Sequence, residues 1–240
     1  MKSFNKKNTI QSEDEYAIFI SDFMSVLMVI FLFIAITFIH NVQKKDDYAK
    51  EIIDDFQIIN EEIIDAIKAE FLDEFSDWNA LVDPVTLSFQ FNSPDVLFKK
   101  GSSELTDKFK QVLNDFFPRY INIIKQENYL DQIKSIQIEG HTSSEWDKDT
   151  KGLNAYLKNM ELSQERSAKV LEYVLKSNDF GEKNITLRNM ISSVGYSSSN
   201  LLYADINGEY TEDRDASRRV AFRILTKGEK KIEEVSEITM

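Results

Sequence analysis

Residues 17–39 read AIFISDFMSVLMVIFLFIAITFI, an apolar run interrupted by a single ionisable side chain, Asp22. As a helix rising about 1.5 Å per residue, such a run crosses a hydrocarbon core of about 30 Å with tilt to spare. It is longer than the core of a signal peptide, about 7–15 residues, and no small-residue cleavage site comes after it, so it predicts one uncleaved span. The pattern then changes. Through residues 41–80, which hold no Gly or Pro, Ile52, Phe56, Ile59, Ile63, Ile67, Phe71, Phe75 and Trp78 recur in steps of three and four. That is one helical stripe, which must pack on its own downstream domain or pair with a second copy as a coiled coil.

Asp83-Pro84 closes this stretch and a period of two begins. Val85, Leu87, Phe89 and Phe91 alternate with polar residues and predict a half-buried strand. Leu105, Phe109, Val112, Leu113, Phe116 and Phe117 predict a helix kinked or ended near Pro118. Further strands are expected at Ile133–Ile138, Ile185–Val194 and Val220–Ile224, with a helix from Leu162 to Leu175. The alternation predicts an α/β sandwich, one mixed sheet with helices on one face. The organisation read from the chain is a polar segment over 1–15, a transmembrane helix over 16–40, an amphipathic linker helix over 41–83, the domain over 84–228 and a polar tail over 229–240.

Composition narrows the chemistry. A net charge of -12 with no basic block argues against a nucleic-acid partner. With no Cys and only His40 and His141, neither a disulfide nor a zinc site is expected, nor any cofactor, and the cysteine-free chain fits a periplasmic domain. Lys2, Lys6 and Lys7 before the span balance Lys44, Lys45 and Lys50 after it, so charge alone leaves orientation open. Asp22 is the residue an inert anchor would not carry, because a carboxylate in hydrocarbon costs at least about 2.5 kcal/mol. Ser21 and Ser25 lie close to it on the helix as candidate hydrogen-bond partners for the carboxylate or a hydrated ion. In the domain, Ser163 reads as a helix N-cap that places Arg166 in the first turn, where free N–H groups and a guanidinium would hold a carboxylate. His141 beside Ser143 or Ser163 invites a hydrolytic reading. No G-x-S-x-G elbow and no acid orienting the histidine is legible, so an enzyme is not expected.

Four pieces stand in order: Gly140-His141-Thr142, the N-x-x-L-S-x-x-R run from Asn159 to Arg166, Gly195-Tyr196, and Ser217-Arg218-Arg219-Val220. Upstream, Val96-Leu97-Phe98 leads into Gly101-Ser102 and Leu105. Together they resemble the OmpA-like peptidoglycan-binding domain over roughly residues 84–228, and an aspartate-bearing span ahead of it resembles a MotB-type stator subunit. The compact build, the long amphipathic helix and the insertion from Ser144 to Lys158 are most similar to the stator-like subunit of the Zorya anti-phage system. The resemblance implies that Arg166 takes the carboxylate of the stem peptide's diamino acid, with Thr142, Ser143, Asn159, Leu162 and Arg219 contributing by motif position. This chain departs from the family's G-H-T-D at Ser143, which is neutral; Glu145, Asp147 or Asp149 could restore the charge. The resemblance further implies a homodimer inside a ring of MotA-like (ZorA-like) multi-span subunits in the inner membrane, with the N-terminus cytoplasmic and the domain periplasmic. Asp22 then carries an ion, by default a proton, while the domain grips peptidoglycan. A flagellar MotB-like stator and a static wall tether without ion flow are the alternatives.

Overall fold

The computed structural model describes residues 3–92, 94–99, 101–177, 180–206 and 208–228. The polar tail expected at 229–240 lies outside them. The chain divides into two compact units, the first reaching Ile52 and the second running Ile53–Glu234.

Helix α1 spans Ser3–Glu70. In the first unit it carries the apolar run, and this stretch is long and apolar enough to cross a membrane, with none of its window buried within the protein. Phe33 is 66% exposed and Phe38 69%. Apolar surface of that extent stays out of water only if lipid or another chain covers it.

In the second unit, α2 (Phe75–Trp78), the strands β1 (Ala80–Asp83) and β2 (Ser88–Phe91) and the short α3 (Pro94–Leu97) precede the long α4 (Asp107–Ile124). Next come α5 (Glu127–Leu130), β3 (Ile133–Gly140), α6 (Leu153–Lys176), α7 (Phe180–Lys183), α8 (Ile185–Met190) and β4 (Ile191–Gly195). A hairpin of β5 (Tyr203–Ile206) and β6 (Glu209–Glu212), then α9 (Arg214–Ser217) and β7 (Val220–Thr226), complete the fold. The five-stranded sheet has the order β1-β2-β7-β3-β4; β3 and β4 run parallel and the other pairs antiparallel. This is the mixed sheet with helices on one face that the pattern predicts.

Strand alternation sorts the side chains. Phe89, Phe91, Ile136, Ile138, Phe222 and Ile224 face the helices and are buried in one core. Phe116 of α4 sits at its centre, its ring 4.5 Å from Phe89 and 5.0 Å from Phe91, Tyr120 and Phe222. The amphipathic stripe enters the same core. Ile63, Ile67 and Phe71 are fully buried there, and Phe75 and Trp78 pack against it. Of the two fates open to that stripe, packing on its own domain is the one adopted by these residues. Arg119 fastens the end of α1: its Nε donates to Glu70 Oε1 and its Nη1 to Glu74 Oε1, both at 2.7 Å, while Cζ lies 4.6 Å over the Phe71 ring.

Four local readings need correction. The strand expected from Val85 begins at Ser88, because Asp83 accepts hydrogen bonds from the Val85 and Thr86 amides and folds residues 84–87 into a turn. Of the two readings at Pro118, an end is overturned: the helix continues through the proline to Ile124, held by the buried stripe on both sides. Ile185–Met190 is helix rather than strand, and only Ile191–Gly195 pairs with β3. The insertion read from Ser144 to Lys158 is helical from Leu153 onward.

Candidate functional site

Strands β3 and β4 end side by side at two paired glycines, Gly140 and Gly195. A Cβ on Gly140 would lie 2.2 Å from the Ser163 carbonyl oxygen, and one on Gly195 2.5 Å from the Gln164 amide nitrogen. Only hydrogen at these positions lets α6 cross the sheet in backbone contact. The helix also bonds the end of β4 and the loop beyond it: Gly195 N donates to Gln164 Oε1 at 2.8 Å and Ser197 N to Ser163 Oγ at 3.0 Å. Ser197 is buried with φ of 52°; its carbonyl accepts from Thr142 N at 2.9 Å and its hydroxyl donates to Tyr156 O at 2.7 Å.

Ser163 is therefore no N-cap. It lies in the middle of α6, its hydroxyl donating to Met160 O, and Arg166 is far from the first turn. The misreading has a physical cause. The buried face of α6 runs through Ala155, Asn159, Ser163, Arg166, Ser167, Val170 and Val174, and its first half is too polar to look like a core stripe.

Asn159, buried at 3% exposure, donates Nδ2 to the carbonyls of Ser143 at 3.2 Å and Glu145 at 3.1 Å. It splints the loop after β3 from beneath. Leu162 is half-buried in the helical turn between Asn159 and Arg166, and Thr142 and Ser143 are buried. Arg166 donates Nε to Ser102 O at 3.0 Å, and its Cζ stands 4.8 Å over the Phe98 ring. A carbonyl and an aromatic face thus fix the guanidinium plane, which is what bidentate recognition of a carboxylate needs. Phe98 and Ser102 were legible as motif positions, but their role as the seat of Arg166 was not.

The structure brings Thr142, Ser143 and Asn159 together and sets Leu162 and Arg166 on the same helix. Arg219 joins them only through its backbone, its carbonyl accepting from His141 N at 3.0 Å, while its side chain lines a cavity elsewhere. Two of the three acids that could replace the missing charge at Ser143 have other work. Glu145 pairs with Arg214 at 2.8 Å, and Asp147 caps its own turn through the Asp149 and Thr150 amides. The carboxylate bonded beside Ser143 is instead Glu212 of β6, which accepts from Ser144 N at 2.9 Å and from its hydroxyl. No sequence signal linked positions 68 residues apart.

His141 does have an orienting acid. Glu139, two residues earlier on the strand, places Oε2 3.0 Å from Nε2, and the Tyr196 ring stacks on the imidazole at 5.1 Å. Burial lowers the histidine's pKa against the opposing hydrogen bond that Nε2–H donates to Glu139, so the ring is neutral near pH 7. Among the described residues no hydroxyl bonds either ring nitrogen.

For the span, the Ser25 hydroxyl donates to Ser21 O at 2.8 Å, one turn back. Asp22 and Ser25, three residues apart, share a helix face. All three residues are exposed.

Several known proteins are similar to this chain. Residues 97–212 match the OmpA family, a stretch that holds Phe98, Ser102, Asn159 and Arg166. Among solved structures, a MotB-like protein from Desulfovibrio vulgaris is 19% identical, covering 75% of this chain and 99% of that one with a TM-score of 0.49. The periplasmic domain of Helicobacter pylori MotB is 19% identical over 64% of this chain and 85% of that one, with a TM-score of 0.41. The Zorya protein ZorB of Escherichia coli is 38% identical over 223 residues, 93% of each chain. At that identity and coverage, from the apolar helix through the sheet domain, the chain belongs to the ZorB family.

Proposed function

We propose that this protein is the wall-anchored, ion-conducting stator subunit of an inner-membrane motor serving anti-phage defence. The observation that carries the reading is Asp22, the one ionisable residue in the apolar run over residues 17–39, a stretch of α1 with no cover among the described residues. Two copies would stand inside a ring of ZorA-like multi-span subunits that supply this cover. Protonation of Asp22 removes its desolvation cost, and loss of the proton restores the charge and forces new polar contacts. One charge crossing the field carries about 2.3 kcal/mol per 100 mV, enough to bias a step of the ring. Ser25 and Ser21 would bond the carboxylate or the ion's water.

The second unit would be the fixed point. Its peptidoglycan site centres on Arg166, held flat by Phe98 and Ser102, with Thr142, Ser143, Asn159 and Leu162 shaping the wall around it. Arg219 contributes by setting the His141 backbone. A wall-bound domain puts the N-terminus in the cytoplasm and the domain in the periplasm. The test is phage plating on cells carrying the native locus, with Asp22→Asn against wild type at equal membrane level. Loss of protection by Asp22→Asn is expected; protection by both forms would leave a static tether as the better reading.

A further inference from the structure

The hairpin of β5 and β6 stands apart from the five-stranded sheet, and its ladder sets Tyr203 opposite Glu212 and Asp205 opposite Tyr210. Residues directly opposite share a face. One face of the hairpin therefore carries two tyrosines along one diagonal and two carboxylates along the other. The two rings stack with centroids 5.7 Å apart and 22° between their planes. Both stay open to water, Tyr203 52% exposed and Tyr210 76%. Pairing across the strands steadies the hairpin, yet it leaves most of this aromatic surface bare.

This face is tied to the loop that follows β3. Glu212 accepts from Ser144 N at 2.9 Å and from the Ser144 hydroxyl, and Arg214 pairs with Glu145 at 2.8 Å. Asn159 of α6 donates to the carbonyls of Ser143 and Glu145 in the same loop. One short loop is thus gripped both by the helix that carries Arg166 and by the hairpin that carries the tyrosines.

Bare rings beside carboxylate acceptors suit a ligand with an apolar face and donors around its edge. A sugar ring has that form, with C–H groups on its face and hydroxyl or acetamido donors at its rim. Asp205 Oδ1 accepts from Gly208 N at 2.7 Å within the turn, and a carboxylate accepts on both oxygens. The two acids disfavour a polyanion. We propose that Tyr203 and Tyr210 form a platform for a sugar ring of a β-linked aminosugar glycan, with Asp205 and Glu212 accepting from its rim. The proposal rests on the peptidoglycan reading of Arg166: stem peptides are covalently attached to a glycan strand, so a domain that grips the peptide has sugar within reach. A cationic peptide also matches rings and carboxylates, and the shared loop decides for the glycan.

The test is an NMR titration of the full chain in nanodiscs with chitohexaose, a peptide-free β-linked N-acetylglucosamine oligomer, and with tetralysine as the cationic probe. Saturable binding of chitohexaose and none of tetralysine is expected. Tyr203→Leu and Tyr210→Leu keep apolar bulk but remove the ring. Each should weaken chitohexaose binding about threefold to tenfold, the size of an aromatic contact, while Tyr210→Phe stays within about twofold of wild type. If a leucine variant fails to melt cooperatively, Tyr210→Trp, a ring that strands favour, must bind at least as tightly as wild type. Absence of saturable chitohexaose binding by folded wild type, unchanged binding by either folded leucine variant, or saturable binding of tetralysine instead overturns the proposal. Arg166→Ala is expected to leave chitohexaose affinity unchanged while lowering capture by intact sacculi, so the peptide site and the sugar platform fail separately.

Discussion

Phe33 and Phe116 are the same residue on helices of the same chain, and their surroundings differ completely. Phe33 is 66% exposed on α1, whereas Phe116 is fully buried among rings of the second unit. The second unit covers its apolar residues with its own chain and can gain stability from them in water. The described apolar residues of the first have no such cover, so they act only through lipid or a partner. One carboxylate, Asp22, is placed where cover is missing, while the domain's buried charges Glu139, Arg166 and Arg219 are all hydrogen-bonded. Stability belongs to one unit and, on the proposed reading, ion chemistry to the other.

That division can be broken in several ways. The largest expected effect is Asp22→Asn, which should abolish phage protection while the melting curve of the second unit stays unchanged. Arg166→Ala should lower sedimentation with purified cell-wall sacculi by at least about tenfold, the worth of a charge-assisted pair, with the domain still folded. Phe116→Ala should cost about 3–5 kcal/mol in denaturant unfolding, whereas Phe33→Ala should leave domain unfolding unmoved. Gly140→Ala forces a Cβ against the Ser163 backbone and should cost about 1–3 kcal/mol. Domain melting measured against pH should give the smallest effect. His141 is buried neutral beside Glu139, Arg219 and Arg223, with its folded pKa depressed, so the unfolded chain binds the proton more readily. Stability should therefore hold above about pH 6.5 and fall as pH drops below it, and His141→Gln should flatten the slope.

Much of this was legible in the sequence because the pattern and the packing coincide. Ile63, Ile67 and Phe71 read as a stripe and are a stripe; Phe89, Phe222 and Ile138 alternate and face the core. Legibility failed where burial and polarity coincide. Asn159, Ser163, Arg166 and Ser167 occupy the sheet-facing side of α6, so the helix seemed to start at Leu162 rather than Leu153 and Ser163 seemed a cap. The candidate site residues were named through motif positions, but their partners in the fold were not. Glu212 reaches Ser144 from a hairpin with no hydrophobic signal, and Phe98 and Ser102 meet Arg166 only through the fold. The polar face of the sheet was missed for the same reason. Glu139 and His141 sit two apart on a strand, a spacing whose meaning appears only once the strand is known to be covered on that side.

The most direct test of ion flow through Asp22 is cytoplasmic pH, read with a ratiometric fluorescent protein during phage infection of cells carrying the whole locus. Wild type should acidify the cytoplasm on infection and Asp22→Asn, at equal membrane level, should not. Equal acidification in both, or none in a protecting wild type, would contradict proton conduction by this residue.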